Sequence, residues 1–374
     1  MTTPKRRRLP GRLYTAYRWL TRAPLTWPRK RPATVRTILV MHQLLLGDAL
    51  MATALLAKLR ARYPNAAIHL ALPRAFVPLF QHQPWGVTAH AFDVRDLSTL
   101  RALAALPAAD LCFLPADNRY AWLARGLGAR WIVGFAGDKP AHKNWMVDEL
   151  HEYSAVPTAW SDTVTELAEG SAPAPYAVAQ WRAPDAAPFE RPTYPYAVLH
   201  LGASSALKFW ASERWRALAE QLEARGLQPV WSAGAAETEL VREVDPTGRW
   251  TSLAGQLSLP QLWQLLTGAQ VLVCPDTGVA HLGRIVGVPT VTLFGPGSAL
   301  LCGAGQFWQA MPYRAVTIDI DCRDQRTNFQ REISWIRRCE RFPGDGPGQC
   351  ASARCMAGLS FDTVWAATLA LLEA

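Results

Sequence analysis

The sequence predicts an α/β protein made of two doubly wound domains, each built on a parallel sheet. Three observations lead to this fold class. Short apolar, β-branched runs alternate with helical patterns, as expected for parallel strands joined by helical crossovers. The alternation stops in a proline-rich stretch, predicted to be a linker at residues 171–195, and then starts again. With 374 residues, the chain is long enough for two domains of ordinary size.

The first domain is predicted to span residues 36–170. Its first strand is the apolar run 37–41, which ends shortly before Asp48. A helix is expected over residues 49–62, with its leucines directed inward. Three further strands are predicted in this domain, at residues 68–72, 110–114 and 130–135.

The second domain is predicted to span residues 196–358, where the same alternation returns. Strands are expected at 196–201 and 229–233, and helices at 212–225 and 260–266. Residues 359–374 follow as a C-terminal helix, over 361–373, which is expected to cross back onto the first domain.

A strand–helix–strand unit in the second domain is the most informative stretch of the chain. It consists of a strand at 271–274, a helix at 277–286 with Asp276 as its N-cap, and a strand at 289–294. A helix that opens directly after a strand points unpaired N–H groups at one spot, which suits a phosphate. Gly278 would let such a ligand approach the backbone closely.

Residues 1–35 are predicted to form a basic amphipathic leader. The first 36 residues hold eleven lysines and arginines and no acid, whereas the rest has 28 basic and 30 acidic residues. The net charge of +9 therefore comes from this end of the chain. Leucine, tyrosine and tryptophan lie between the charges, a pattern that favours an anionic membrane surface as partner. A disordered, solubilising tail is the alternative, and no nucleic-acid partner is expected.

The compartment predicted from the sequence is the cytoplasm, with the protein peripheral on the inner face of the inner membrane. No apolar run is long enough to span a bilayer, and no signal peptide is apparent. In that compartment the seven cysteines are expected to be reduced unless a metal holds them.

The strand–helix–strand unit also carries a specific combination of short motifs. These are Asp276-Thr277-Gly278, His281-Leu282, Gly287-Val288-Pro289 and Phe294-Gly295-Pro296. In this combination the unit resembles the donor-binding segment of glycosyltransferase family 9, the ADP-heptose:lipopolysaccharide heptosyltransferases. The resemblance covers about residues 36–370. It implies the GT-B fold, in which two Rossmann-like domains face a central cleft, and it implies a nucleotide-sugar donor with no cofactor required for transfer.

Asp48 is the catalytic residue that this resemblance implies. Gly47-Asp48 follows the first predicted strand, at the edge where open α/β sheets bind ligands. In the family, a carboxylate at this position is proposed as the general base toward the acceptor hydroxyl. A helix N-cap is the alternative role for Asp48. Leu44-Leu45-Leu46 departs from the serines that family members often have before Gly-Asp.

Six residues of the second domain are expected to bind the donor: Lys208, Glu237, Asp276, Thr277, Gly278 and His281. Lys208 follows a Gly-Ala-Ser-Ser turn and would offer a point charge to phosphate, the alternative being a solvated surface lysine. Glu237 and Glu239 are both candidates for a family glutamate that holds the nucleoside, and Glu237 is preferred. The alternative is an exposed acid at a helix N-terminus. His281 is interpreted as a phosphate contact or as a core histidine.

Four cysteines late in the chain are candidate metal ligands: Cys322, Cys339, Cys350 and Cys355. Family members often have a cysteine-rich stretch here, and in a branch that glycosylates autotransporters four cysteines bind iron. Four thiolates could hold a structural zinc or iron, although the CxxC spacing of a standard zinc site is missing. Scattered reduced cysteines are the alternative. No Asp-X-Asp motif is identified in the donor segments, so transfer without a metal is expected.

The function implied is transfer of a heptose or similar sugar from an ADP-linked donor to a lipopolysaccharide core or related glycan acceptor. Two other functions stay open at this point. One is a GT-B nucleotide-sugar epimerase, which needs no acceptor. The other is a non-catalytic, membrane-associated protein that binds sugar nucleotides.

Overall fold

The structure is a computed structural model, and it describes residues 9–22, 29–43 and 45–374. The parts of the predicted leader at residues 1–8 and 23–28, and Leu44, lie outside the described residues. The chain divides into two compact domains. The first consists of residues 1–156, 161–174 and 327–334, and the second of 157–160, 175–326 and 335–374.

The first domain is a parallel sheet flanked by helices. Its strands are β1 (Thr37–Met41), β2 (Ala67–Leu72), β3 (Val87–Ala91), β4 (Leu111–Leu114), β5 (Trp131–Phe135) and β6 (Glu149–His151). Its helices are α1 (Leu9–Arg22), α2 (Leu46–Met51), α3 (Thr53–Arg62), α4 (Leu97–Ala104) and α5 (Ala121–Gly126). The strand order is β3-β2-β1-β4-β5-β6, with every neighbouring pair parallel. This is the doubly wound Rossmann order, whose winding reverses between β1 and β4.

The second domain repeats this architecture. Its sheet has β7 (Tyr196–His200), β8 (Gln228–Ser232), β9 (Thr251–Ser252), β10 (Val271–Pro275), β11 (Thr290–Phe294) and β12 (Tyr313–Thr317). The helices from this part of the chain are α6 (Trp160–Thr163), at the domain boundary, then α7 (Ser212–Ala224), α8 (Thr238–Val244), α9 (Leu259–Gly268), α10 (Gly278–Val286), α11 (Arg354–Ala357) and α12 (Phe361–Leu372). The order β9-β8-β7-β10-β11-β12 is parallel throughout and reverses between β7 and β10.

The predicted fold class is confirmed, and every predicted strand is present with its ends shifted by at most one residue. The sequence reading missed β3, β6, β9 and β12, which lie at or near sheet edges. Edge strands alternate less clearly between polar and apolar residues, as β12 shows with one buried residue in five. The predicted helix 49–62 is two helices, α2 and α3, which meet at Ala52.

The C-terminal helix packs into the second domain, so the expectation that it crosses back onto the first domain is wrong. Val364 of α12 is fully buried in the same core cluster as Trp215 and Trp231. Trp365 also packs on this cluster and receives the guanidinium of Arg225 over its ring, at 5.6 Å. The apolar side of α12 is therefore satisfied within its own domain.

The segment that does return to the first domain is a short hairpin from the second half of the chain. It pairs β13 (Thr327–Asn328) with β14 (Arg331–Glu332), and a further pair, β15 (Phe342–Pro343) with β16 (Gln349–Cys350), stays in the second domain. Arg331 is buried and donates hydrogen bonds to the carbonyls of Ala136 (2.7 Å) and Phe135 (3.1 Å). Its guanidinium also lies 3.6 Å from the Asp138 carboxylate.

The linker predicted at 171–195 joins the second domain from residue 175 onward. Tyr176 is buried there, donates to the carbonyl of Ile285 (2.8 Å), and lies 4.8 Å from the Trp308 ring. Most of the proline-rich stretch is therefore an extended strap on the second domain and not a flexible connection.

The described part of the leader, α1, is a docked helix of the first domain. Gly11 lies so close to the chain at Val94 that a Cβ there would come within 1.8 Å of its carbonyl oxygen. Arg18 donates to the carbonyl of Gly126 (3.2 Å), and the Trp19 and Trp122 rings lie 5.5 Å apart. For residues 9–22 the alternative of a disordered tail is wrong. Among the helices that the structure describes, none is long and apolar enough to cross a bilayer.

Candidate functional site

The predicted donor residues collect at one edge of the second sheet. Parallel strands end on the same side, so the loops after β7, β8, β10 and β11 share the carboxyl edge. These loops carry Lys208, Glu237, Asp276 and Gly297 respectively. The winding reverses between β7 and β10, and open α/β sheets bind ligands at that point.

Lys208 and Asp276 form an ion pair across this reversal point. Lys208 ends a single 3₁₀ turn, Ala206–Lys208, which Ser205 caps by accepting from the Leu207 N–H. The ammonium donates to the backbone oxygen of Asp276 (2.7 Å) and to its Oδ2 (2.9 Å). Only 20% of the lysine side chain and 9% of the aspartate side chain are exposed, so Lys208 is not a solvated surface lysine.

The prediction that Asp276 caps the following helix is wrong. The N-cap of α10 is Thr277, which is extended (φ −146°) and makes no side-chain capping bond. The carboxylate of Asp276 is turned toward Lys208 instead, and it accepts from the lysine ammonium (2.9 Å). The Asp276 Oδ2 also lies where a Cβ on Gly297 would be 2.2 Å away, so a larger residue at that position would displace the carboxylate.

The first turn of α10 opens at Gly278, beside this ion pair. Its leading N–H groups have no acceptor within the helix and carry the positive end of the helix dipole. The Lys208 ammonium beside them is compensated by the Asp276 carboxylate, so the positive end of the helix dipole is the uncompensated charge at the carboxyl edge of β10. Such a point is suited to the oxygens of a phosphate or diphosphate.

Glu237 joins the loops that follow β7 and β8. Its Oε2 accepts from the Gly234 N–H (3.0 Å), and a Cβ on Gly202 would lie 1.9 Å from the same oxygen. The side chain is half-buried, whereas the neighbouring Glu239 is exposed and pairs with Arg242 on α8. Of the two acids, Glu237 is the one held at the sheet edge.

His281 lies inside the domain, within α10. It is 4% exposed, and its Nδ1 accepts a hydrogen bond from the buried Arg284 guanidinium. Burial, then Arg284, then Lys208 hold the pKa of His281 well below the ordinary value, so the ring is neutral. The contacts match a core histidine more closely than a cationic phosphate ligand.

A second buried histidine at this edge was missed by the sequence reading. His200 ends β7, and its Nδ1 lies 3.0 Å from the Ser232 Oγ at the end of β8. Burial lowers the pKa of His200 to about 4. Its position at the end of an apolar strand is the sequence feature by which His200 could have been identified.

Asp48 lies after β1, at the carboxyl edge of the first sheet. It is the third residue of α2, is half-buried, and accepts from the Leu45 N–H through Oδ2 (3.2 Å). Leu45, and not Asp48, is the N-cap of that helix. The carboxylate therefore supports the helix start from inside the first turn, while it keeps a place beside the reversal between β1 and β4.

The four candidate metal ligands line one small cavity of about 220 Å³ in the second domain. Cys355 is buried, and burial raises the pKa of its thiol. Among residues 9–22, 29–43 and 45–374, however, no three histidine, cysteine, aspartate or glutamate side chains stand close enough to hold a metal. The donor set fits zinc or iron by chemistry, but its thiols are not gathered into a coordination site.

The cysteine cavity touches the donor edge through the backbone. The Cys339 N–H donates to the carbonyl of Pro296 (2.8 Å), and Arg323 donates to the carbonyl of Gly295 (2.9 Å). Pro296 itself lines the cavity. The cysteine-rich segment thus braces the turn that carries Gly297 against Asp276.

One Asp-X-Asp sequence lies after the last strand of the second sheet. Asp319-Ile320-Asp321 follows β12 and lines a cavity of about 540 Å³ with Asp324 and Arg323. Within the described ranges these acids do not form a group that could hold a metal.

The sequence of this chain is similar to proteins of a known family. Residues 111–317 match the model of glycosyltransferase family 9 (heptosyltransferase). The chain is 29% identical to lipopolysaccharide heptosyltransferase 1 of Pseudomonas aeruginosa over 197 residues, which is 49% of this chain and 53% of that protein. The match thus spans about half the length of that relative.

Solved structures show the same fold. The structure of Escherichia coli ADP-heptose lipopolysaccharide heptosyltransferase II is similar with a TM-score of 0.68 at 19% identity, over 90% of this chain and 98% of that one. The iron-containing dodecameric glycosyltransferase TibC of enterotoxigenic E. coli is similar with a TM-score of 0.58 at 12% identity, over 92% of this chain and 78% of that one. The family match covers more than half of the chain, and it confirms the resemblance read from the motifs: the chain belongs to glycosyltransferase family 9.

Proposed function

We propose that this protein transfers a heptose, or a similar sugar, from an ADP-linked donor to a lipopolysaccharide core or related glycan. The observation that carries the proposal is the Lys208–Asp276 pair beside the N-terminus of α10, at the reversal point of the second sheet. This arrangement offers positive charge where a diphosphate would bind, in a chain that belongs to a sugar-transferring family.

On the donor side, the residues act mainly by electrostatics. As the glycosidic bond to the diphosphate breaks, negative charge grows on the departing phosphate oxygens. Lys208 and the N–H groups at Gly278 stabilise that charge. Asp276 keeps the lysine side chain in position before the glycosidic bond breaks. Glu237, at the neighbouring loop, accepts hydrogen bonds from the hydroxyls of the donor's nucleoside.

On the acceptor side, Asp48 takes the proton of the attacking hydroxyl. A carboxylate placed at this edge can act as a general base. The Leu45 N–H holds one of its oxygens (3.2 Å) and thereby orients the other. Neither step requires a metal.

The first experiment identifies the donor and separates transfer from epimerisation. Purified protein is screened against ADP-, GDP- and UDP-linked sugars by thermal shift, and each stabilising donor is then incubated with and without a truncated lipopolysaccharide. The proposal expects stabilisation by an ADP-sugar and release of ADP only when the acceptor is present. A new sugar nucleotide formed from the donor alone would instead indicate an epimerase, and binding without either product would indicate a non-catalytic protein.

We also propose that the leader holds the enzyme on an anionic membrane surface at the cytoplasmic face of the inner membrane. Four side chains of α1 form an exposed apolar stripe at helical spacing: Leu9, Leu13, Tyr17 and Leu20, each 60–66% exposed. Arginines flank the stripe at positions 12 and 22. A surface of this kind lies in the headgroup region, where apolar side chains enter and the arginines meet lipid phosphates.

A structural zinc or iron at the four cysteines is a separate proposal, supported by their common cavity. When bound, the metal would staple the loop-rich segment that braces the Gly295–Gly297 turn. Elemental analysis of protein purified without chelator should find near-stoichiometric metal. Replacing Cys350 and Cys355 by Ser should remove it, whereas Cys302→Ser, outside the cavity, should not. Metal-free wild-type protein would contradict the proposal.

A further inference from the structure

A buried arginine beneath the donor edge has no role in the function described so far. Arg284 lies in the last turn of α10, and its guanidinium donates to the carbonyls of Cys302 (2.9 Å) and Gly303 (2.5 Å). In the described part of the chain no carboxylate forms an ion pair with it, and the Asp276 carboxylate is bound to Lys208 instead. A buried cation without a carboxylate lowers the stability of a fold, so its position indicates a functional requirement.

A further hydrogen bond of Arg284 fixes the proton of His281. The guanidinium donates to the Nδ1 of His281, one turn earlier on the same helix. Because a guanidinium can only donate, Nδ1 must be unprotonated. Burial, followed by the charges of Arg284 and Lys208, keeps the pKa of His281 well below the ordinary value, so the ring is neutral. A neutral imidazole then carries its single proton on the other nitrogen, and His281 is the Nε2–H tautomer.

The Nε2–H group of His281 is left available to a ligand. Among the residues that the structure describes, Nε2 has no hydrogen-bond partner, and it is not one of the fully enclosed nitrogens that lack a partner. His281 is the fourth residue of α10, and helical side chains lean toward the N-terminus of their helix. The ring therefore leans back toward Gly278, where the leading N–H groups of α10 are free.

We propose that Arg284 is a positioning residue for donor binding: it holds His281 as the Nε2–H tautomer, so that this N–H donates to a phosphate oxygen of a nucleoside diphosphate. The inference rests on the proposed function, because the diphosphate is that of the sugar donor. Arg284 acts on the ligand through His281 and does not touch it. Without the arginine the proton could move to Nδ1, and the lone pair on Nε2 would then face a phosphate oxygen and repel it.

The tautomer is tested directly by nuclear magnetic resonance. The sample is full-length protein with isotope-labelled histidine rings, and the His281 signals are identified by their absence in His281→Gln. Two-bond couplings between ring protons and nitrogens distinguish Nε2–H from Nδ1–H. The proposal expects a pure Nε2–H pattern in the wild-type protein and a mixed or Nδ1–H pattern in Arg284→Met. An Nδ1–H pattern in the wild-type protein would overturn the proposal without any variant, and so would a pure Nε2–H pattern in Arg284→Met.

Calorimetric titration with ADP measures the consequence for the ligand. Arg284→Met and His281→Leu should each weaken ADP binding about tenfold, through loss of one N–H contact to a charged oxygen. The double variant should bind ADP within about twofold of either single variant, because both changes remove the same contact. Additive losses, about a hundredfold together, would overturn the positioning role, since Arg284 would then act independently of His281.

Two controls distinguish this contact from a general loss of structure. Arg216→Met is the matched variant, because Arg216 of α7 also donates to a backbone carbonyl, that of Val244 (2.9 Å), and it should leave ADP affinity unchanged. Adenosine, which has no phosphate, should bind equally to the wild-type protein and all variants. A parallel loss of adenosine binding in Arg284→Met would assign the effect to the fold and overturn the proposal.

A rescue experiment isolates the tautomer from the other contacts of Arg284. The side chain of His281→Gln carries an amide N–H near the position of Nε2 and has no tautomers. Adding Arg284→Met to this variant should therefore leave ADP affinity unchanged, and a further loss of about tenfold would overturn the proposal. If these results hold but no sugar is transferred to any acceptor, the inference stands and the proposed function fails. If transfer occurs while Arg284→Met binds ADP as the wild type does, the inference alone fails.

Discussion

The two sheets of this protein have the same strand order but differ at the edge where ligands bind. In the second domain, the reversal point is closed by a tight ion pair between Lys208 and Asp276, backed by glycines at 202 and 297. In the first domain, the corresponding edge opens into a wide cavity with arginine and aromatic walls. A nucleotide diphosphate is a small, constant ligand, whereas glycan acceptors vary. The difference teaches that the same strand order can support an edge closed by an ion pair in one domain and an open edge with helix α1 as a wall in the other.

The two domains correspond closely in the core beneath these edges. Each domain has a buried histidine at the end of its first strand, His42 directly after β1 and His200 at the end of β7. Burial lowers the pKa of both to about 4. The cores under the two edges are thus built alike, and the contrast between the edges lies in the loops above them.

The largest effect is expected from Asp48→Asn. The amide keeps the shape of the carboxylate and can still accept from the Leu45 N–H, but it cannot take a proton. Turnover should fall roughly a hundredfold or more, while ADP-sugar affinity and the melting temperature stay unchanged. Steady-state kinetics and a melting curve check this. Asp362→Asn, an exposed change in the first turn of α12, is the control. Full turnover in Asp48→Asn would leave this residue a purely structural role.

The second-largest effect is expected from Lys208→Ala, at the carboxyl edge of the second sheet. The change removes a charge-assisted contact to phosphate, worth on the order of 1.5–3 kcal/mol, so ADP should bind about tenfold more weakly or worse. Calorimetric titration with ADP measures it, and Lys139→Ala, at an exposed site of the first domain, provides the control. An unchanged dissociation constant would place the donor elsewhere and break the comparison between the two edges.

The two buried histidines, His42 and His200, predict that the protein loses stability in mild acid. Their pKa is lowered on folding, so the unfolded chain binds more protons below about pH 6.5, and the free energy of unfolding falls as the pH drops from 6.5 toward 4. Between pH 7 and pH 5 the loss should be on the order of 1–2 kcal/mol per histidine. Urea unfolding at several pH values tests this. His200→Asn should flatten the profile of the second domain, and an unaltered slope would show that His200 does not contribute.

The smallest effect is expected from the exposed stripe of α1. Leu13→Ser with Tyr17→Ser removes two apolar side chains that lie in solvent, so the fold should not change. Binding to vesicles with anionic lipids should weaken several-fold. Leu300→Ser with Val156→Ser, also exposed, is the matched control. Equal vesicle binding by both double variants would remove the stripe from any membrane role.

Much of the fold and part of the site could be predicted from the sequence. Buried strands such as β1 and β10 are continuous apolar runs, so their ends were placed within one residue. Lys208 and Asp276 were both named from the sequence, and the structure has their side chains in contact (2.9 Å). That Asp276 does not cap α10 could not be predicted, because its carboxylate is engaged by Lys208, 68 residues earlier in the chain. Local propensity cannot report a long-range ion pair that competes with a cap.

The cavity of the first domain could not be predicted from the sequence either, because it also depends on residues that are far apart in the chain. It combines residues of α1 with loops that follow four separate strands, and one of these strands, β3, was itself not predicted. The basic and aromatic composition of the leader was visible, but composition does not show that Gly11 and Trp19 dock the helix on the domain. The sequence does not show these tertiary contacts between α1 and the rest of the first domain.

The hairpin at residues 327–334 has a consequence for how the protein is made. It belongs to the first domain, yet it follows that domain's last preceding residue, 174, by more than 150 positions. During synthesis at about 5–20 residues per second, the carbonyls of Ala136 and Phe135 would wait on the order of ten seconds or more for the guanidinium of Arg331. The N-terminal half cannot reach its final state on the ribosome before most of the second half has emerged, so the two domains mature together, and a fragment ending at residue 174 would be an incomplete protein.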